Sequence, residues 1–243
     1  MPTRDKDSYS IQSVENALDV LEALCEEEGE VRISRLSEKL HMNKTSVFRL
    51  LATFEGRGYV EREEISGKYR LGLTAYEVGQ KLLSRMEILK QARPVMERLV
   101  RECNETTYLV VKRNDEVLFL DMVDTSQKVK IVSLAGRRFP AATTAAGRVL
   151  LAFAPRGRNG SERNADFQAI RNAGYCADNG TLGDDITSIA FPIFCAGGSL
   201  NGALCMVGPD FRLTPELVIP QIREACTIIS SKLGDHTSYQ IAD

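Results

Sequence analysis

The stretch Ile33–Ser34–Arg35–Leu36–Ser37–Glu38–Lys39–Leu40–His41–Met42–Asn43–Lys44–Thr45–Ser46–Val47–Phe48–Arg49–Leu50–Leu51–Ala52–Thr53–Phe54 decides how the N-terminal part of this chain folds. Val47, Leu50, Leu51 and Phe54 recur at i, i+3, i+4 and i+7, the spacing of one helix face. Asn43 stands at the N-cap position before Lys44. Leu36 and Leu40 give the buried edge of an earlier helix near Arg35–Leu40, with Ser34 as its N-cap. His41–Met42–Asn43 leaves room only for a turn. Gly56 and Gly58 close the later helix. Tyr59–Val60–Glu61–Arg62 and Lys68–Tyr69–Arg70–Leu71 flank Ser66–Gly67 and read as a hairpin. Upstream, Ile11–Cys25 carries Val14, Leu18, Leu21 and Cys25 at helical spacing, flanked by Ala17 and Leu24, and Gly29 ends it. Three helices, a tight turn between the second and third, and a hairpin make a winged helix-turn-helix.

Downstream, Ala75–Leu89 reads as a helix with Val78, Leu82, Met86 and Leu89 on one side. Arg93–Pro94 is expected to interrupt it, and Pro94 to open a further helix to about Arg101. This is read as a linker helix. From Thr106 the character changes: Thr106–Lys112, Glu116–Val123 and Lys128–Leu134 are rich in β-formers and short enough for strands. Ala145–Ala154 reads as a helix, Arg156–Ala165 as an exposed loop, and Phe167–Asn172 as a short helix. Ile186–Cys195 and Gly202–Val207 read as strands joined by a turn. Thr214–Pro215 opens a last helix to about Leu233. Strands with helices on one side make an α+β sheet domain. The expected divisions are residues 1–74 for the DNA-binding domain, 75–104 for the linker and 105–243 for the sheet domain.

Lys+Arg number 31 and Asp+Glu 33, so the net charge of −2 excludes an indiscriminate polyanion binder. No apolar run approaches the ~18–20 residues that span a bilayer, and Met1–Ser10 has no apolar signal core. The six cysteines show no C-x-x-C spacing and read as buried cytosolic thiols, which points to a cytoplasmic protein. The two histidines, His41 and His236, sit in a turn and near the terminus. No zinc site, nucleophile–His–acid set or phosphate loop is expected, hence no cofactor and no enzyme.

Charge distribution says more than total charge. From Arg32 to Arg70 nine bases face five acids, a local charge of +4, whereas Gln12–Glu30 is purely acidic. The acidic first helix is expected on the far side from DNA. The turn Lys44–Thr45–Ser46 has no acid and suits phosphate contact. Phe48 and Arg49 should point off the core stripe, with Arg49 the best candidate for a guanine edge. Lys68 and Arg70 would serve the wing. The competing reading is a solvated charged face on a helical protein-interaction module.

In the sheet domain, Phe139–Pro140–Ala141–Ala142–Thr143–Thr144–Ala145–Ala146–Gly147 is a small-residue run entering a helix. Such a run lets a ligand approach the backbone, and a helix N-terminus favours a carboxylate. It could equally be a tightly packed turn with no ligand. Ile131 and Ile186 are candidate apolar walls, or plain core. Cys195 and Cys205, on adjacent expected strands, leave open a thiol-based redox regulator.

Several segments together resemble the IclR family of bacterial transcriptional regulators: Ile33–Leu40, Lys44–Thr53, Gly58–Arg62, Gly67–Gly72, Ala92–Arg93–Pro94, Ala145–Phe153, Ala173–Gly174–Tyr175 and Gly202–Ala203–Leu204. The resemblance runs through nearly the whole chain in order. It implies a winged-helix domain, a linker helix and a GAF-like effector-binding domain. It further implies dimers or tetramers on palindromic double-stranded operators, and control by small organic or aromatic acids that alter dimer geometry. By motif, Asn43, Lys44, Thr45, Ser46, Phe48, Arg49, Lys68 and Arg70 would meet DNA. Thr144, Ala145 and Ala146 would cradle the effector, with Ser188, Cys205 and Val207 along the opposite wall and Asp178 at a position that can hydrogen-bond a ligand hydroxyl. The polar stretch between Phe153 and Phe167 is shorter than the family's usual segment there.

Overall fold

The helix read from Val47–Phe54 forms as α3, Lys44–Gly56, and Asn43 caps it: its side chain accepts from the Ser46 backbone N–H at 2.7 Å. Such a cap contributes ~1 kcal/mol. The computed structural model describes residues 10–27, 29–155 and 165–235. Before α3 lie α1 (Gln12–Cys25) and α2 (Ile33–Lys39). After it come β1 (Val60–Arg62) and β2 (Tyr69–Leu71), antiparallel with Val60 opposite Leu71 and Arg62 opposite Tyr69. Val31 adds a bridge to Tyr69. Val20, Ala23, Leu24, Leu36, Val47, Leu51, Val60 and Tyr69 form the core of this unit.

Two expectations are corrected here. Ser34 does not cap α2: the helix starts at Ile33, and Arg32 occupies the cap position without a side-chain bond. The buried face of α1 is Val20, Ala23 and Leu24, while Val14 and Leu18 are 51% and 48% exposed and Cys25 is exposed. α1 carries two apolar faces, and helical periodicity alone does not say which one meets the core.

Helix α4 (Leu73–Leu83) follows, with no buried residue. α5 (Glu87–Cys103) runs straight through Pro94. The break therefore falls at Ser84–Met86 and not at Pro94. Proline removes one backbone bond, but Ile88, Ala92, Val95, Met96 and Leu99 are buried around it, and that packing carries the helix on. The chain divides into two compact units, Met1–Arg85 and Met86–Asp243.

The second unit is built on β3 (Thr106–Arg113), β4 (Glu116–Val123), β5 (Arg138–Pro140), β6 (Cys176–Asn179), β7 (Ile186–Cys195) and β8 (Ser199–Pro209). They form one antiparallel sheet in the order β5-β4-β3-β8-β7-β6. Side chains alternate between its faces. Leu109, Ile189, Phe191, Ile193, Leu204 and Met206 pack against α5 and α8 (Pro215–Lys232). Tyr108, Val110, Ala190, Ala203, Cys205 and Val207 pack against α6 (Ala145–Ala152), with α7 (Ala165–Ala173) behind it. Helices thus cover both faces, not one. Lys128–Leu134 is not a strand: it crosses the sheet irregularly, with Leu134 buried and Val132 81% exposed. Of the expected loop Arg156–Ala165, residues 156–164 lie outside the described residues, as does His236, and Ala165 opens α7.

Candidate functional site

Two regions carry chemistry, one in each unit. In the first, α3 presents Lys44, Thr45 and Arg49 to solvent and Phe48 at 47% exposure, while Val47 and Leu51 hold the helix to the core. Ser46 is half-buried. Lys44 and Arg49 form no ion pair among the described residues, and the first turn contains no acid. Asn43, expected among the DNA-contacting residues, uses its side-chain oxygen for the cap and so fixes the first turn from which the others project.

The wing is less basic than its sequence suggested. Arg70 is paired across the hairpin with Glu61, Nε and Nη2 lying 3.1 and 3.0 Å from Oε2. Arg62 lies over the Tyr69 ring, 5.7 Å from its centroid. The tip is Glu63–Glu64–Ile65, and Ile65 is 95% exposed. The Ser66 hydroxyl and N–H hold the Glu63 carboxyl below the usual carboxylate range. Lys68 and Arg70 are therefore set back from an acidic tip. The acidic end of α1 is also not on the far side from α2. Glu27 meets Arg35 at 2.7 Å, and Glu26 meets Lys39 at 2.9 Å.

In the second unit, strand register gathers residues that lie far apart in sequence. Asp178 pairs with Ser188, Ser188 with Val207 and Val207 with Thr106; in the next row Cys176, Ala190, Cys205 and Tyr108 follow. By alternation Ser188, Cys205 and Val207 share the sheet face that α6 covers. Ile131, Ile186 and Leu182 are half-buried against the same cluster. α6 enters over this face. Its N-cap Thr144 is 1% exposed, and its hydroxyl accepts from the Gly147 N–H at 3.0 Å. The amides of Ala145 and Ala146 have no partner among the described residues, as the first turn of a helix dictates. Gly147 is required: a Cβ there would stand 2.1 Å from the Ala141 carbonyl oxygen. Arg148 reaches to 3.8 Å from Asp178 at the rim.

Polar satisfaction on this face is uneven. Ser188 is 1% exposed and its Oγ has no hydrogen-bond partner. A buried unpaired hydroxyl costs about 1–3 kcal/mol, so it marks a place where the fold tolerates an unmet donor. Tyr108 was missed by the sequence reading. Its ring is buried beside Cys205, its hydroxyl accepts weakly from the Leu134 N–H at 3.4 Å, and burial pushes its pKa up to about 12. An aromatic residue in the alternation of an apolar strand is the signal that pointed to it. Burial likewise raises the Cys205 thiol.

The redox alternative is not favoured by this geometry. Cys195 pairs with Ser199 at the hairpin end, whereas Cys205 pairs with Ala190 in mid-strand. At ~3.3 Å per residue the two lie on the order of 17–20 Å apart, against the ~7 Å limit of a disulfide. None of the six cysteines is in a disulfide, and three of them are buried.

Among the described residues no helix is long and apolar enough to cross a membrane. The N-terminal unit matches the IclR helix-turn-helix domain over residues 13–64. The remainder matches the family described as bacterial transcriptional regulator IclR C-terminal, over residues 80–163 and 161–231. The chain is 30% identical over 254 residues to the HTH-type transcriptional regulator KdgR of Escherichia coli (strain K12), covering 96% of each protein. Among solved structures, Thermotoga maritima IclR superposes with a TM-score of 0.72 at 24% identity, over 93% of this chain and 100% of that one. An IclR homologue from Microbacterium hydrocarbonoxydans complexed with 4-hydroxybenzoate gives 0.76 at 26% identity, over 91% of this chain and 99% of that one. Such relatives are transcriptional regulators and not enzymes. With a capped recognition helix at one end and a two-faced antiparallel sheet at the other, matched in order along nearly its whole length, this chain belongs to the IclR family of DNA-binding transcriptional regulators.

Proposed function

We propose that this regulator reads a palindromic operator as a homodimer, or a dimer of dimers, and that a small carboxylic acid bound between α6 and the sheet alters its dimer geometry. Cytoplasmic DNA is its target. The observation that carries the effector half is the orphan hydroxyl of Ser188, on the sheet face against which Ala145 and Ala146, in the first turn of α6, are packed. A carboxylate is the group that two free N–H donors at a helix N-terminus and a buried hydroxyl would jointly satisfy. The surrounding wall, Ile131, Ile186, Cys205, Val207 and Tyr108, is apolar or aromatic and suits a flat hydrocarbon body, with Asp178 placed to accept from a ligand hydroxyl. The homologue holding 4-hydroxybenzoate supports the same class of ligand. The observation behind the dimer is apolar exposure. α4 buries nothing and exposes Leu73, Tyr76, Val78 and Leu82, and α1 exposes Val14 and Leu18, with Ile11 exposed at its cap position.

Arg49→Ala is expected to weaken binding to a duplex selected from a random pool by about 1–3 kcal/mol and to relax preference at one base pair. Anisotropy titration at fixed salt reads both. It also reads stoichiometry, where two protomers per selected palindrome is the expected value. Unchanged affinity removes Arg49 as a base reader, and one protomer per site removes the dimer.

Ser188→Ala has a sign that separates its roles. Without ligand it should stabilise the sheet unit by about 1 kcal/mol, because an unsatisfied donor disappears. In a thermal-shift series with 4-hydroxybenzoate and other aromatic acids, the ligand-induced rise seen for the native chain should shrink. An equal rise in both proteins would take the ligand away from Ser188.

A further inference from the structure

The acidic end of α1 is in the wrong place for its own helix. Its last turn holds no base, and Glu22, Glu26 and Glu27 crowd the negative end of the helix dipole. Their compensation comes from α2. Arg35 and Lys39 are four residues apart and so share one face of that helix. Arg35 Nε stands 2.7 Å from Glu27 Oε2, and Lys39 Nζ stands 2.9 Å from Glu26 Oε2 and 3.3 Å from Glu27 Oε1. The Glu27 carboxylate sits between both cations with its side chain only 12% exposed. The Glu27 carboxyl is held below its ordinary range despite its partial burial, and the Lys39 ammonium is held above its own by Glu26.

In a helix-turn-helix the first helix of the pair crosses the DNA backbone, so its bases are the ones phosphate would seek. Here they are already neutralised from within. A phosphate arriving at Arg35 or Lys39 exchanges one anion for another and releases no counterion. The same carboxylates line a groove of about 620 Å³ with Glu30, Arg32, Arg35 and Lys68, so they stand beside the wing as well.

We propose that Glu26 and Glu27 act as built-in substitutes for DNA phosphate at Arg35 and Lys39. They withdraw two cations from sequence-independent binding and leave discrimination to α3. The pair thereby sets specificity, as the ratio of operator to non-operator affinity, without touching a base.

The test measures affinity for a scrambled-sequence duplex against salt, by anisotropy on the full chain, with circular dichroism confirming that each variant folds. Glu26→Gln/Glu27→Gln is expected to steepen the log–log salt slope by as much as ~1.8, about 0.9 for each additional phosphate that the protein neutralises. Arg35→Gln/Lys39→Gln in the native background is expected to leave the slope unchanged, because those cations are already spent. Adding Arg35→Gln/Lys39→Gln to the glutamine pair should return the slope to the native value. A general charge effect instead predicts mirror-image changes, steeper without the acids and shallower without the bases. A shallower slope for Arg35→Gln/Lys39→Gln alone overturns the proposal, as does an unchanged slope for Glu26→Gln/Glu27→Gln. The arm that removes the bases decides the matter even where the glutamine pair fails to fold.

Discussion

Gly147→Ala is expected to destabilise the sheet unit by about 3 kcal/mol or more, at the top of the usual overpacking range. The added Cβ would lie 2.1 Å from the Ala141 carbonyl oxygen, 2.6 Å from its Cα and 2.7 Å from its carbonyl carbon. All three are backbone atoms, so no side chain can swing aside. Either the turn before α6 or α6 itself must move. α6 has no slack, since Ala145, Ala146, Val149 and Leu150 are all buried against the sheet. The displacement would also pull Gly147 N–H off the Thr144 hydroxyl and undo the cap. Thermal unfolding should show the transition of Met86–Asp243 lowered by roughly 6–12 °C, at ~2–4 °C per kcal/mol for a domain of this size. The Met1–Arg85 transition should stay in place. A shift below about 2 °C would mean that the turn yields easily, and the idea of a rigid cradle at α6 would fall with it.

Arg212→Ala should cost at least as much for an electrostatic reason. Glu105 is 3% exposed. Arg212 Nε binds its Oε1, and Arg212 Nη2 binds Oε2 at 3.0 Å while also donating to the Val129 carbonyl at 3.1 Å. β8 leaves room for this carboxylate with Gly208, where a Cβ would come 2.6 Å from Glu105 Oε2. Truncating the arginine strands a buried charge, which typically costs about 3–5 kcal/mol. It also frees the Val129 carbonyl and loosens the irregular segment over the sheet. Glu105→Met/Arg212→Met should recover most of the loss, because removing both charges together spares the desolvation. Denaturant titration of the three proteins gives the comparison. If the double variant is as unstable as Arg212→Ala, packing and not charge explains the loss.

Much of the N-terminal unit was readable because its information is local. The Val47–Phe54 spacing, the Asn43 cap and the Ser66–Gly67 turn each lie within a few residues of what they determine. Where the reading missed, the deciding partner was remote. The Val14–Leu18 stripe has helical period, but the core chose Val20 and Leu24. Pro94 looked like a break until the burial of α5 overrode it. Lys128–Leu134 has strand composition, yet no neighbouring strand offers it a ladder. The acidic run of α1 was seen, but its address beside Arg35 and Lys39 was not, since composition carries no direction. The candidate effector residues came partly from the small-residue run Phe139–Gly147 and otherwise by resemblance. Asp178, Ser188 and Val207 lie on three different strands and meet only through sheet register. Glu105 and Arg212, 107 residues apart, left no trace in any local pattern.

The alternation of β7 and β8 between the two cores also bears on how this protein can change over generations. Ser188 and Ile189, or Cys205 and Met206, hang from neighbouring atoms of one backbone but belong to different cores. A substitution that swells one face shifts a strand that the other face shares. Mutations on the two sides should therefore fail to add, even where their side chains never touch. A lineage altering side chains on the α6 side would have to retune, step by step, the packing of α5 and α8 behind it.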